Sequence, residues 1–405
     1  MAGMRSERLS GNLPRSRFTA SRSTRSYENQ FLKRINNSKL AIFCGLLTIL
    51  VFRGGIGLEN LVGDSISEKY SSEDIDRILR EIRSDSDSDS DDSNSSGVLD
   101  NSTYSPGPKI SEWDSQRKVW MAKNKESHEN IILGGNGKDR MLLVTSSLPN
   151  PCENPIGDHY LLKGTKNKID YCRIHGIEMM FNMAELELEL GNNWSKLSLI
   201  RKMMLSHPEV EWVWWMDSDA LFTDMNFEIP LHKYEGYNMV VHGNPDLLFQ
   251  KKSWTALNTG SFLIRNCQWS LDLLDIWAPM GQKGSVTKEQ GRILTDYLND
   301  RHFSVDSDDQ SSLIYLLLTQ RDRWMARVFL ENSFLPAETG DDKWSFITHF
   351  AGCKPCGKTS DHPINMCFED MDKAFNFADN QVLQFFGFMH KDLSNSEVRK
   401  IIKEF

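Results

Sequence analysis

The stretch Glu211-Trp-Val-Trp-Trp-Met-Asp217-Ser-Asp219-Ala-Leu-Phe222 decides the fold. Its apolar, aromatic-rich part, residues 212–216, predicts a strand that is buried on both faces of a sheet. Residues two apart in an extended chain point the same way, so Asp217 and Asp219 can reach one ligand at the carboxyl end of this strand. Ligands of open α/β sheets bind at that end. Carboxylate oxygens favour a hard cation such as Mg²⁺ or Mn²⁺, so we interpret the pair as a metal site that can bridge to a diphosphate.

The acidic pair also has interpretations other than a metal site for a diphosphate. Two aspartates separated by one residue are also typical of solvated carboxylates in a turn. A calcium loop that began at Asp217 would need glycine at its sixth position, where this chain has Phe222. An aspartyl-phosphate phosphatase also begins with Asp after an apolar strand, but its later elements are not evident here.

The chain has 405 residues and a formal net charge of −9, which suits one large domain or two small ones with appendages. Strand-like and helix-like stretches alternate over residues 113–405, and this alternation predicts an α/β domain with a mostly parallel sheet covered by helices. We expect helices at 157–175 and 194–206 before the acidic pair. In the first of them the apolar side chains should share one side of the helix, namely Tyr160, Leu161, Ile169 and Cys172. In the second, three basic side chains should face solvent, namely Lys196, Arg201 and Lys202.

The N-terminal part of the chain predicts a membrane anchor. Residues 1–39 carry nine basic and two acidic side chains and few large apolar ones, which is typical of a disordered cytosolic tail. Residues 40–58 predict the transmembrane segment of a type II signal anchor, and residues 59–112 a disordered, acidic and Ser-rich stem. A cleaved signal peptide is the alternative, but the long basic lead argues against it. The domain at 113–405 would then be lumenal.

A lumenal domain can be glycosylated and disulfide-bonded. Asn-x-Ser/Thr sequons begin at Asn94, Asn101 and Asn193. Six cysteines follow the predicted anchor, and an oxidising compartment allows disulfides whose pairing the sequence does not give. The motif Cys353-Lys-Pro-Cys356 resembles a redox or zinc half-site, but no second cysteine pair with zinc spacing accompanies it. We therefore favour a structural disulfide role.

Two polar stretches in the second half of the chain are candidates for the rest of the site. Asn258-Thr-Gly260 precedes an apolar run, and its glycine would let backbone approach a ligand closely, although a plain hairpin turn fits equally well. The second stretch, residues 308–310, precedes an apolar helix. Acidic residues there are typical of helix capping, but two Asp and a Gln together could also hold sugar hydroxyls.

A histidine and a lysine follow a short strand near the end of the domain. Neutral His349 can complete a metal shell, and Lys354, five residues later, can meet a phosphate as a point charge. A lone histidine is often structural, but Gly352 lies between the two and a carboxylate pair lies upstream. We therefore interpret His349 as a metal ligand.

Together these motifs resemble the plant glycosyltransferase family 34, which comprises xyloglucan α-1,6-xylosyltransferases and galactomannan α-1,6-galactosyltransferases. The resemblance covers nearly all of residues 115–395, and residues 242–254 are more similar to the galactomannan branch. Its most specific stretches are Trp214-Trp-Met-Asp-Ser-Asp219, Leu257-Asn-Thr-Gly-Ser-Phe262, Asp308-Asp-Gln310, Thr348-His-Phe350 and Gly352-Cys-Lys-Pro-Cys-Gly357.

The resemblance implies a GT-A fold, Mn²⁺, a Golgi membrane location and a UDP-xylose or UDP-galactose donor. It also implies transfer with retention, in α-1,6 linkage, onto a β-1,4-glucan or mannan acceptor. By matching position, the metal would be held by Asp217, Asp219 and His349. The donor would be bound by Ser218, Asn258, Gly260, Gly352 and Lys354. The catalytic set beside the anomeric carbon of the sugar would be Asp308, Asp309 and Gln310.

Two further functions stay open at this point. The family has a longer, aromatic-containing connection where this chain has only residues 334–343, so the protein could be a catalytically weak or inactive partner in a hemicellulose-synthesising complex. A lumenal metal-dependent phosphohydrolase is the other. Homo- or hetero-oligomers with related glycosyltransferases are expected, and no nucleic acid is expected among the partners.

Overall fold

A computed structural model gives the fold. It describes residues 104–124, 140–147, 150–184, 187–191, 193–301, 306–332, 344–356 and 364–402. The predicted tail and anchor, most of the predicted stem, the sequons at Asn94 and Asn101, and the connection at 334–343 lie outside the described residues. No helix within the described ranges is long and apolar enough to cross a membrane.

A six-stranded mixed sheet forms the centre of the compact unit that spans residues 99–405. Neighbouring strands follow the order β2 (Glu178–Asn182), β1 (Met141–Ser146), β3 (Trp212–Met216), β6 (Leu257–Arg265), β5 (Met239–Gly243) and β7 (Val328–Glu331). Five of these strands run in one direction, and β6 runs antiparallel to β3 and β5 on either side of it. The α/β architecture with a mostly parallel sheet is therefore confirmed.

Strand β3 is buried on both faces, as its composition predicts. Val213 and Trp215 pack into the largest hydrophobic core, whereas Trp212, Trp214 and Met216 pack into the second largest. Successive side chains of a strand point to opposite faces, so each core lies on one side of the sheet. An aromatic strand in this position fills both cores at once and fixes where the acidic turn after it emerges.

Helices cover the sheet, and two short strand pairs lie beside it. The helices are α1 (Trp113–Asn124), α2 (Pro155–His175), α3 (Ser195–Ser206), α4 (Pro245–Phe249), α5 (Gln268–Trp277), α6 (Ser285–Tyr297), α7 (Asp309–Thr319), α8 (Arg321–Trp324) and α9 (Ile364–Leu383). The strand pairs are antiparallel, β4 (Ala220–Phe222) with β8 (Ile347–His349) and β9 (Phe388–His390) with β10 (Val398–Lys400). Helices α2 and α3 correspond to the two helices that the sequence predicts before the acidic pair.

Two orientations expected from the sequence are wrong. Lys196 and Arg201 on α3 are 5% and 2% exposed rather than facing solvent. Ile169, on the side of α2 that the sequence predicts to be apolar, is 42% exposed. The prediction for α3 is wrong because it rests on charge alone. Both cations have hydrogen-bond and ion-pair partners inside the protein, and such partners make burial of a charge possible. Lys202, by contrast, is the exposed residue that the sequence predicts.

Arg201 fastens the segment that enters the domain. Its Nε donates to Asp275 Oδ1 over 2.9 Å, and its other two nitrogens donate to the carbonyl oxygens of Pro106 and Pro108 over 3.2 and 2.6 Å. A buried guanidinium with this many partners holds several groups in one geometry. Residues 104–112 are thereby bound to the domain that follows them.

We expect Arg201→Met to lower the free energy of unfolding by about 3 to 5 kcal/mol, because it removes one partner of a buried ion pair and leaves carbonyls without a donor. Its neighbour Lys202 is exposed and pairs with Glu187 over 2.7 Å, so Lys202→Met should cost roughly 0–1 kcal/mol. Urea denaturation followed by tryptophan fluorescence measures both values. Equal losses in the two variants would contradict this account of Arg201.

Candidate functional site

Two carboxylates and an imidazole converge at the carboxyl end of β3. One ligand atom from each of Asp217, Asp219 and His349 lies within 4.8 Å of the other two. His349 Nε2 is 3.4 Å from Asp219 Oδ1 and 3.8 Å from Asp217 Oδ2. The aspartates flank the turn between β3 and β4, and β8 pairs with β4 so that Ala220 lies opposite His349. Residues far apart in the sequence thus form one cluster.

Asn258 fixes which nitrogen of His349 is available. Its Oδ1 accepts from the backbone N–H of Gly260 over 2.8 Å and lies 3.1 Å from His349 Nδ1. An atom that accepts from a backbone N–H must be the amide oxygen, so His349 Nδ1 carries a proton and donates it. The unprotonated nitrogen of neutral His349 is then Nε2, which faces the carboxylates. A metal-binding histidine is oriented in this way.

Burial and neighbouring charges shift the pKa values of His349 and Asp219 in opposite directions. Burial lowers the pKa of His349, but the charges of Asp219 and Asp217 outweigh it and the net pKa is raised. Burial raises the pKa of Asp219, but His349 outweighs burial and lowers it. The pKa of Asp217 is raised, chiefly by burial. Two carboxylates beside a preoriented imidazole fit a divalent cation, which would replace the protons held there.

Lys196 joins this cluster to the start of α7. Its Nζ is 2.6 Å from Asp309 Oδ2 and 3.9 Å from Asp217 Oδ1, and it donates to the carbonyl oxygen of Thr259 over 3.2 Å. Burial lowers the pKa of Lys196, but the surrounding carboxylates outweigh it and raise the net value, so the ammonium stays charged. Sequence reasoning missed this residue, although Lys196 lies four residues before Ile200 and so on the same helix face.

The two aspartates at the start of α7 have different partners. Asp308 caps the helix, since its Oδ1 accepts from Ser311 N over 2.7 Å, and its Oδ2 lies 3.1 Å from Arg301 Nη2. Asp309 Oδ2 instead accepts from Thr259 Oγ1 over 2.6 Å. The capping interpretation therefore describes Asp308, whereas Asp309 is bound to the interior of the site.

Gln310 also contacts β6. Its Oε1 lies 3.4 Å from the backbone nitrogen of Thr259, which donates to it, and its Nε2 donates to the carbonyl oxygen of Trp254 over 3.0 Å. Both hydrogen-bonding ends of the amide are used. The structure thus brings Asp309 and Gln310 beside Thr259 and, through Lys196, next to Asp217.

The start of β6 connects all these groups. Asn258-Thr-Gly260 belongs to β6 itself rather than to a separate hairpin turn, and the pairing register with β5 shifts between Val241 and His242. A Cβ at Gly260 would overlap the imidazole ring of His349, and the carbonyl oxygen of Gly260 accepts from Asp217 N over 2.7 Å. A bulge beside a functional site re-aims side chains in this way. The close approach that Gly260 permits is to the imidazole.

Lys168 of α2 supports the acidic turn from behind. Its Nζ donates to the carbonyl oxygens of Ala220 over 2.7 Å and Ser218 over 3.3 Å. Burial lowers its pKa to about 8. Gly164, one turn earlier, lies so close that a Cβ there would come within 2.9 Å of the Ser218 oxygen. The helix thus fixes the turn that carries both aspartates, another role that the sequence reasoning missed.

The loop after β8 carries Gly352 and Lys354. Both adopt positive φ, 82° and 44° respectively. The two cysteines of the Cys-Lys-Pro-Cys motif are not bonded to each other, because Cys353 pairs with Cys367 and Cys356 with Cys152. This pairing agrees with a structural disulfide role.

Elsewhere, Asn193 is exposed in the turn before α3, as a glycosylation site must be.

We expect Gly260→Ala to weaken Mn²⁺ binding by roughly ten- to a hundredfold, because the added methyl group displaces His349 from its place beside the carboxylates. Gly236 has no neighbouring atom within 4 Å of the position its Cβ would take, so Gly236→Ala is the matched control and should bind Mn²⁺ normally. Titration calorimetry measures both. Native affinity in Gly260→Ala would show that the imidazole does not hold the ion.

Mn²⁺ binding should release protons from the cluster, because His349 and Asp217 have raised pKa values and must deprotonate to bind a cation. Affinity should therefore fall as the pH falls through the pKa of His349. Calorimetry at pH 6.5 in buffers of different ionisation enthalpy counts the protons. His349→Gln should release fewer, whereas the exposed His232→Gln should match the native protein. Heats that do not depend on the buffer would refute this linkage.

Comparisons with known proteins bear on the identity of the chain. A family model described as the galactosyl transferase GMA12/MNN10 family matches residues 137–360. Two Arabidopsis thaliana proteins, probable xyloglucan 6-xylosyltransferases 5 and 3, are 54% and 53% identical, and each alignment covers 93% of this chain and 86% of the relative. Xyloglucan 6-xylosyltransferase 2 of the same plant is 46% identical over 92% of this chain and 91% of its own length.

Similarity to solved structures is weaker. A glycosyltransferase involved in the glycosylation of the major capsid of PBCV-1 is 14% identical and covers 57% of this chain and 98% of its own, with a TM-score of 0.38. A score at that level carries no argument, so identity rests on the family match and on the relatives. On those grounds the chain belongs to the galactosyl transferase GMA12/MNN10 family, glycosyltransferase family 34, and it is a glycosyltransferase that uses a UDP-sugar.

Proposed function

We propose that this protein transfers xylose from UDP-xylose, with retention, in α-1,6 linkage onto a β-1,4-glucan backbone, as a step of hemicellulose synthesis. The observation that carries the proposal is the cluster of Asp217, Asp219 and His349 at the carboxyl edge of the sheet, with His349 Nε2 facing both carboxylates. Family membership makes a nucleotide-sugar donor the ligand for that edge. We propose a GT-A type of fold on the same grounds.

Mn²⁺ is the ion that we propose for the cluster. Asp217, Asp219 and His349 would hold it, and it would supply positive charge that stabilises the departing UDP. Asn258 keeps the imidazole proton on Nδ1, and the backbone of Gly260 sets the distance between ring and strand. These residues of the chain therefore prepare the site before the ion arrives.

Different polar groups around the cluster would bind different parts of the donor. Gly352 and Lys354, on the loop that follows His349, would meet the diphosphate, and Lys would do so as a point charge. Asp309 and Gln310 would meet the sugar, on the far side of Lys196 from the metal ligands. Lys196 balances the charge of Asp309 and keeps its carboxylate in one orientation, with Oδ2 bound by Lys196 and Thr259. The second oxygen, Oδ1, would then receive a sugar hydroxyl.

The names of the relatives favour xylose and a glucan acceptor. The Arabidopsis proteins that match over most of their length are called xyloglucan 6-xylosyltransferases. Residues 242–254 resemble the galactomannan branch, so UDP-galactose with a mannan acceptor is the alternative specificity. The proposal also includes a type II anchor at 40–58, which would place the domain in the Golgi lumen. It further includes glycosylation at Asn193.

A donor and acceptor screen on the full-length protein in microsomes tests this function. UDP-xylose with cello-oligosaccharide and Mn²⁺ should give a labelled product that EDTA abolishes. Transfer from UDP-galactose to manno-oligosaccharide alone would move the assignment to the galactomannan activity. UDP binding without transfer to either acceptor would contradict an enzymatic role and favour a non-catalytic partner.

The metal assignment has its own test. Asp217→Ala combined with Asp219→Ala should abolish Mn²⁺-dependent UDP binding, because the two oxygens that hold the ion are gone. Asp322→Ala, which removes an exposed carboxylate on α8, is the control and should bind UDP normally. Titration calorimetry with and without Mn²⁺ measures the effect. Unchanged UDP affinity in the double variant would remove these aspartates from the site.

A further inference from the structure

Lys354 lies between two disulfide-bonded cysteines. Cys353 is bonded to Cys367 on α9, and Cys356 is bonded to Cys152, which lies just before α2. Cys353 is 5% exposed, whereas the lysine beside it is exposed. The loop is thus fastened on each side of its exposed lysine to a different helical segment.

These two segments are also fixed to each other. Tyr160 of α2 stacks on Phe368 of α9, with ring centroids 4.3 Å apart and ring planes 5° from parallel. The hydroxyl of Tyr160 donates to Asp372 Oδ2 over 2.9 Å, again between α2 and α9. One cross-link therefore ends on α9 and the other just before α2, and the two helices pack against each other.

Backbone contacts set the path of the loop as well. Glu153 N donates to the carbonyl oxygen of Cys356 over 3.2 Å, and Cys353 N donates to that of Phe350 over 3.1 Å. A Cβ at Gly157, in the first turn of α2, would overlap the carbonyl oxygen of Pro355. At Gly157 the backbone of α2 therefore lies directly against the backbone of the loop, and this contact helps to set where the loop lies.

The backbone of Lys354 adopts an unusual conformation between the two disulfides. Its φ of 44° lies in the left-handed region, which residues with a side chain rarely adopt. It also precedes Pro355, and a following proline restricts the backbone further. Such a conformation persists where the surrounding structure imposes it. Here the two disulfides and the contact with α2 belong to the structure that surrounds Lys354.

We propose that the two disulfides are positioning groups for donor binding, which hold Lys354 in place for the diphosphate of the UDP-sugar before the donor arrives. The inference rests on the proposed role of Lys354. A loop that is already ordered loses less conformational entropy when it binds, so affinity gains without any added contact. The effect should appear in UDP affinity and in KM for the donor, and not in Mn²⁺ binding by the cluster.

Calorimetry of UDP binding to the full-length protein at saturating Mn²⁺ tests the proposal. Cys152→Ser with Cys356→Ser should weaken UDP binding about three- to tenfold, the loss typical of ordering a side chain on binding. In a Lys354→Ala background the same pair of changes should alter affinity less than about twofold, because the group that they position is gone. Cys267 forms no disulfide, so Cys267→Ser is the matched control and should bind UDP as the native protein does.

Gly157→Ala is a second variant, which disturbs the loop while both disulfides remain. It tests the proposal even if the cysteine variant fails to fold. It should weaken UDP binding to a similar degree, and again only when Lys354 is present. Unchanged UDP affinity in Gly157→Ala and in the cysteine variant overturns the proposal, as does an equal loss with and without Lys354→Ala. If Lys354→Ala alone leaves UDP affinity unchanged, the assignment of Lys354 to the diphosphate fails and the inference fails with it.

Discussion

The contact between the imidazole of His349 and the bare backbone of Gly260 is the constraint on which the site depends. It places a ring from β8 directly on the one antiparallel strand of the central sheet. The residues on either side of Gly260 use the same short segment. Asn258 fixes the proton of the imidazole, and Thr259 binds Asp309. Three consecutive residues at the start of β6 therefore align the proposed metal ligands with the residues that we propose to face the sugar.

Buried charge is the second theme of the site. Three buried or partly buried carboxylates, Asp217, Asp219 and Asp309, face two buried lysines, Lys168 and Lys196. Unpaired charge in a protein interior is costly, and once His349 is neutral and all three carboxylates are ionised, as cation binding requires, this set has one more negative group than positive ones. A divalent cation would reverse the balance and leave a net positive charge for an anionic nucleotide. The two lysines thus offset part of the negative charge of the acidic cluster, and the charge that remains is compatible with a divalent cation.

The sequence predicts those parts of the site whose signals are local. The aromatic run before Asp217 predicts a doubly buried strand, and the alternation of elements predicts the mostly parallel sheet. The sequence of α3 places Lys196 and Arg201 at the surface, because their partners, Asp309 and Asp275, come from other helices and leave no signal in α3 itself. The hydrogen bond from His349 to Asn258 joins residues 91 positions apart, and one disulfide joins residues 204 positions apart. Contacts of that kind arise only when the whole chain folds.

Arg201 also has a bearing on how the catalytic domain can be isolated. Its guanidinium is bound by the carbonyl oxygens of Pro106 and Pro108, and Lys196 lies only five residues earlier on the same helix. Five residues of α-helix span about 7.5 Å, so a short length of α3 connects Lys196, beside the proposed metal site, to the residue that binds the entering segment. A fragment that began at Trp113 would keep the ion pair of Arg201 with Asp275 but would remove the two carbonyl oxygens that accept from its other nitrogens. A stable fragment of this domain should therefore include Pro106 and Pro108.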